Sequence, residues 1–189
     1  MLGAAEIARG VQGAIKFLLR DTTAPFHFDN TVEACLRSFQ VMIPVAPFYA
    51  AYMGLHYMRV TTTADATEIV FAEVLRYLVN WLLFPVIFYE IARWRGWLER
   101  YPRYIGACNW AALPSMIVLL VIELVSALVP SAFFNLLQLA LEVYWFLMIS
   151  QIGLGVSWPV AVALCAVNLL PSHFLSVLVD RFLGISYPV

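Results

Sequence analysis

The sequence predicts an all-α fold: a polytopic membrane helical bundle of about five transmembrane helices preceded by an N-terminal amphipathic helix. Two observations carry this reading. Of 189 residues, 63% are hydrophobic and only 12% charged, a composition too apolar to keep the surface of a soluble domain wet. The apolar residues also fall into runs of about 20 or more, the length a helix needs to cross a hydrocarbon core roughly 30 Å thick. Five such runs with short connections use nearly the whole chain and leave no room for a soluble domain of ordinary size.

Residues 1–22 read as the amphipathic, interfacial helix. Leu2, Ile7, Val11, Ile15, Leu18 and Leu19 recur at helical spacing, while Glu6, Arg9, Gln12, Lys16 and Arg20 occupy much of the remainder. Packing of this helix on the protein's own loops fits the pattern equally well, and Gly3, Gly10 and Gly13 weaken a helix by roughly 1 kcal/mol each. The same charges interrupt the segment too often for a secretory signal, so it is expected to remain attached.

Residues 23–189 then form a single transmembrane domain, with spans at about 34–58, 70–94, 105–129, 132–152 and 158–179. Asn30 followed by Glu33 resembles a capping box that opens the first span, and Glu33 and Arg37 are spaced to pair. Pro44 and Pro47 lie inside that span and should kink it. Asp65 and Glu68 form a second capping arrangement. The helix it opens would be about 40 Å long, so its first turns, with Glu73 and Arg76, are expected among the headgroups. Val129-Pro130-Ser131 is a tight turn between the third and fourth spans, and Pro159 is a first-turn proline opening the fifth.

Between the second and third spans, Arg93, Arg95, Arg100 and Arg103 alternate with Trp94, Trp97, Tyr101 and Tyr104. Beside a span this mixture fits anionic headgroups and an aromatic belt, and a nucleic-acid partner is not expected. With five spans and the N-terminus inside, eight of the Lys and Arg residues fall on the inner side and three, Arg59, Arg76 and Arg181, on the outer. That asymmetry predicts the N-terminus on the cytoplasmic side and the C-terminus on the outer side.

The candidate site is a set of polar residues within the last three spans. Asn135, Gln138 and Glu142 share one face of the fourth span; Asn109 and Glu123, four turns apart, share one face of the third. Asn168, Ser172 and Ser176 repeat every four residues in the fifth, with His173 beside them. Depth counted from the turn makes Glu123 level with Gln138 and His173. Lacking any Lys or Arg in those apolar runs, Glu123 is expected to be buried, neutral and hydrogen-bonded, with His173 its one basic neighbour. Such residues support either a polar path for a substrate or interhelical hydrogen bonds.

No HExxH, GxSxG, GxGxxG or Walker-type loop occurs, so no catalytic residue and no cofactor are assigned. His27, His56 and His173 fall at different depths, and Cys35, Cys108 and Cys165 have no CxxC spacing, so no metal site is expected and the thiols read as reduced packing residues.

Two patches carry a resemblance. The run from Phe26 to Ala34, followed by Arg37-Ser38-Phe39 and Pro44, and the later Arg103-Tyr104 with Asn109-Trp110, resemble small uncharacterised alphaproteobacterial five-span inner-membrane proteins. More distantly, the five-span plan resembles Yip1-domain membrane proteins, although the short connections depart from eukaryotic members. The resemblance implies a bacterial inner (plasma) membrane location, so that the cytoplasmic N-terminus goes with a periplasmic C-terminus, and a non-catalytic role in membrane organisation. The expected function is a non-enzymatic integral membrane protein that binds membrane lipids, other integral membrane proteins or itself, as an accessory subunit or organiser. A small transporter or channel using the polar site is the alternative.

Overall fold

In a computed structural model the chain is helical almost throughout; residues 2–129 and 131–186 are described. Pro130 of the expected turn and the last three residues of the expected periplasmic tail lie outside them. The order is α1 (Ala4–Leu18), α2 (Val32–Ser38), α3 (Met42–Tyr57), α4 (Ala66–Arg95), α5 (Tyr101–Leu128), α6 (Ala132–Met148) and α7 (Trp158–Phe182). A 3-10 turn at Ala24–His27 precedes α2, another at Phe39–Val41 separates α2 from α3, and a π turn at Ile149–Gly153 extends α6.

Four helical segments are long and apolar enough to cross a membrane: Ala66–Arg95, Tyr101–Leu128, Ala132–Gly153 and Trp158–Phe182. Large apolar side chains such as Phe71, Val86, Leu124, Leu136, Leu170 and Phe174 stand exposed on them, an arrangement stable against lipid tails and costly against water. This is the surface of a multi-pass membrane protein.

The expected first span is not one helix. The break at Phe39–Val41 has a covalent cause: Pro44 has no N–H for the carbonyl four residues back, at Gln40, and its ring crowds that carbonyl. The segment nevertheless runs alongside α5 in the same direction. Ser38 meets Asn109 near the start of α5, and Arg59 meets Glu123 and Ser126 near its end.

Capping matches the expectation at one helix and departs from it at another. Asp65 accepts from Thr67 and Glu68 while Glu68 reaches back to the Asp65 N–H, a complete capping box on α4. At α2 the cap is Thr31, whose hydroxyl accepts from the Ala34 N–H at 3.1 Å. Asn30 instead clasps the loop before α5, donating to the Glu99 carbonyl and accepting from the Arg103 N–H. Tertiary partners outbid the local cap. Arg37 likewise leaves Glu33 for Glu6 on α1, with contacts of 2.6 and 3.2 Å.

Helix α1 packs against α5, α6 and the Ala24–His27 turn. Its buried stripe is Gly10, Gly13, Ala14 and Phe17, with Leu2, Ile7, Val11 and Leu18 beside it, while Ile15 and Leu19 of the expected apolar face are exposed. The glycines are what let the helix lie flush. A Cβ on Gly10 would stand 2.2 Å from the Trp110 ring, and one on Gly13 would stand 2.6 Å from His27 and 2.7 Å from Phe28. Trp145 Nε1 donates to the Ala14 carbonyl at 2.9 Å and ties α6 to α1. Segment 1–22 is thus part of the same packed body as the rest of the chain.

Beneath α1 the core is aromatic. Phe84, Phe88, Tyr101 and Tyr104 contact one another, and the fully buried Tyr104 hydroxyl meets Ser150 Oγ at 2.7 Å. That bond satisfies a polar group that would otherwise be stranded at the α6 π turn.

Candidate functional site

The polar residues of the bundle sort into a closed network at the end where α3, α5 and α7 finish, and an open cavity nearer the middle. Helix α3 builds the network from two edges. Tyr49, Met53 and Tyr57 repeat every four residues and meet α4, whereas Tyr52 meets α6.

On the α4 side, Glu73 and Arg76 pair at 2.7 Å, with side chains only 10% and 9% exposed. Both Glu73 oxygens accept phenol protons, from Tyr49 and Tyr57, at 2.8 Å. Arg76 Nε donates to the Tyr49 oxygen at 3.2 Å, and its other nitrogens contact Met53 sulfur and Asp180 of α7, the latter at 3.6 Å. Two ions taken out of water are tolerable only with such added bonds. Whatever their depth, Glu73 and Arg76 are turned inward, because α3 offers two tyrosines at the right spacing. The signal was present in the sequence as opposite charges three apart on α4 and tyrosines eight apart on α3.

On the α5–α6 side, Glu123 is buried, and Gln138 Nε2 donates to its Oε2 at 3.1 Å, the bond expected across this hairpin. The Tyr52 hydroxyl donates in turn to Gln138 Oε1. The expectation that His173 is the one basic neighbour of Glu123 is overturned. Arg59, just past α3, reaches Glu123 Oε1 at 3.0 Å and also donates to the Glu123 carbonyl and the Ser126 hydroxyl. Counting depth along spans missed it, because an arginine side chain can fold back several ångströms from a loop. His173 and Asn135 are exposed and no hydrogen bond joins them to this network among the described residues.

The cavity has a volume of about 390 Å³ and lies among α3, α4, α5, α6 and α7. Asn109, Glu142 and Asn168 of the expected site line it, together with Asn80, Ser115 and Ser172. Tyr49, Tyr77, Trp81, Phe84, Trp145 and Phe146 supply aromatic wall. Asn109 is held by its bond to Ser38 Oγ at 2.9 Å, and Ser172 by its bond to the Asn168 carbonyl. Asn80 Oδ1 is buried without a donor, and no donor contacts the exposed Glu142 carboxylate among the described residues. Asn80 was not foreseen; its signal was an amide in the middle of an apolar helix.

At the opposite end, a groove of about 590 Å³ opens between α1, α2 and the start of α5. Its charges are largely spent on each other: Arg9 pairs with Asp29 at 2.8 Å and Arg37 with Glu6 at 2.6 Å. The Arg37 guanidinium beside it holds the Glu6 carboxyl below its ordinary value of 4.5.

The four arginines expected at headgroups behave differently from one another. Arg93 is exposed beside Glu90, and Arg95 lies over the Trp94 and Trp97 rings at 5.8 and 5.0 Å. Arg100 donates to the Leu154 carbonyl at 3.0 Å, and Arg103 Nε is buried. Arg93, Arg95 and Arg100 are exposed, and Arg103 is less so.

The three cysteines are free thiols, and no group of three or more His, Cys, Asp or Glu is placed to hold a metal ion among the described residues. No family model matches the chain, and neither the curated proteins nor the solved structures contain a significant match to it.

Proposed function

We propose that the protein is a non-enzymatic multi-pass membrane protein that binds a lipid or lipid-like amphiphile in the cavity among α3 to α7. The observation that carries this reading is a 390 Å³ space with aromatic walls and polar groups at Asn80, Glu142, Asn168 and Ser172. The space opens to the surface of the bundle, so a molecule dissolved in the bilayer can reach it. An amphiphile's apolar part matches Trp81, Phe84 and Phe146, and its polar part matches the amides and the carboxylate.

The same reading places the chain in a bacterial inner membrane with the N-terminus inside. The segment from Val32 to Tyr57 acts as a fifth, broken crossing, supported by its course along α5. Exposed Phe133, Leu136 and Leu139 on α6 offer lateral contact to lipids, other membrane proteins or a second copy. The resemblance to five-span alphaproteobacterial proteins and to Yip1-domain proteins belongs to this reading, because it too implies association without catalysis. A transporter reading is favoured by one observation, that Asn109, Glu142 and Asn168 line a single cavity; substrate-driven flux in proteoliposomes would establish it.

The test is native mass spectrometry after purification in mild detergent. A lipid-sized adduct is expected on the wild type and should be lost in Ala112→Phe, which fills the cavity. A wild-type protein free of any adduct overturns the proposal. Orientation is tested by labelling introduced cysteines from outside: Thr62 should react and Gly96 should not.

A further inference from the structure

We infer that the cavity selects a lipophilic organic cation, with Glu142 as its counter-charge and the aromatic walls as its cage. This rests on the cavity being a binding site, and goes beyond it by naming the charge of the occupant.

Among the lining residues Glu142 is the one with an acidic or basic side chain; no Lys, Arg or His faces the space. The buried carboxylates of the bundle are answered within the protein, Glu73 by Arg76 and two tyrosines, Glu123 by Arg59 and Gln138. Glu142 has no such answer among the described residues, in surroundings where an uncompensated charge interacts far more strongly than in water.

No cationic side chain stands against the cavity, so an anion would meet the Glu142 carboxylate with nothing to answer its own charge, whereas a cation would be answered by it.

Tyr49, Tyr77, Trp81, Phe84, Trp145 and Phe146 surround the space, and aromatic faces attract organic cations through their quadrupole while accepting the apolar substituents such cations carry. The Trp145 N–H is engaged by the Ala14 carbonyl, so this indole contributes its ring and not a donor that an anion could use.

The test uses two probes of the same shape and opposite charge, tetraphenylphosphonium and tetraphenylborate, titrated calorimetrically into the full chain in uncharged detergent. Saturable binding of the phosphonium alone is expected, weakened about tenfold or more in Glu142→Gln, equivalent to ~1.4 kcal/mol, and largely restored in Glu142→Asp. Equal binding of both probes overturns the cation inference while leaving the amphiphile site standing. Binding of neither probe, together with a lipid adduct in native mass spectrometry, overturns the inference alone. Binding of neither with no adduct overturns both. Should Glu142→Gln fail to fold, the preference of the wild type between the two probes still decides the question.

Discussion

Glu123 and Glu142 sit in neighbouring apolar helices and look alike in the sequence, yet the structure treats them oppositely. Glu123 is 6% exposed and contacts a guanidinium and an amide. Glu142 lines a cavity, and no hydrogen bond or ion pair joins its side chain to another residue among those described. A carboxylate inside a membrane helix is therefore no evidence of function by itself. What separates a structural from a functional carboxylate is whether its neighbours supply the bonds it needs, or leave them for something else to supply.

That distinction predicts a ranked series of effects on stability. The largest belongs to Arg76→Leu, which strands the buried Glu73; breaking a buried pair in this way costs about 3–5 kcal/mol. A large drop in melting temperature is expected, and Glu73→Gln combined with Arg76→Leu should recover much of it. Were the double variant as unstable as the single, the pair would not be the cause.

Arg59→Ala comes next. Its side chain is 36% exposed, so water replaces part of what is lost, and about 1–3 kcal/mol is expected from leaving Glu123 short of a partner. Both carboxylates would have to be reclassified if Arg59→Ala were silent.

The exposed groove provides a calibration. Hydrogen bonding to Arg37 lowers the folded-state pKa of Glu6 below 4.5. The contribution is thus fully present above the unfolded value and is lost as pH falls through the folded one. A surface pair contributes about 0.2–1 kcal/mol. Hydrogen-exchange protection of α1 should fall modestly on acidification below pH 4.5, and Glu6→Gln should flatten that part of the profile.

The smallest effect is expected for Glu142→Gln, within about 0.5 kcal/mol of wild type, as for substitutions that break no internal contact. A loss as large as that of Arg59→Ala would show that Glu142 holds the bundle together, and the contrast with Glu123 would collapse.

Helix α1 shows how local reasoning can misjudge a residue. Gly10 and Gly13 count against a helix by propensity, and the helix forms regardless, because their missing side chains admit Trp110 and Phe28. Tertiary contact overrides a penalty of roughly 1 kcal/mol per glycine. Asn30 makes the same point for caps: its side chain spans two loops and leaves capping to Thr31.

The sequence by itself determined the all-helical class, the four long apolar segments and the α4 capping box, since these depend on run length, composition and contacts within a few residues. It also marked Glu123, Gln138, Glu142, Asn109 and Asn168 as out of place in apolar surroundings. Only the tertiary structure decided which of them are satisfied. Arg59 reaches Glu123 across 64 residues of chain, and Asn80 and Glu142 meet the same cavity from different helices. Spacing along one helix states which residues share a face; it carries no information about which other helix that face will meet, or whether a side chain from a loop will fold back to reach it.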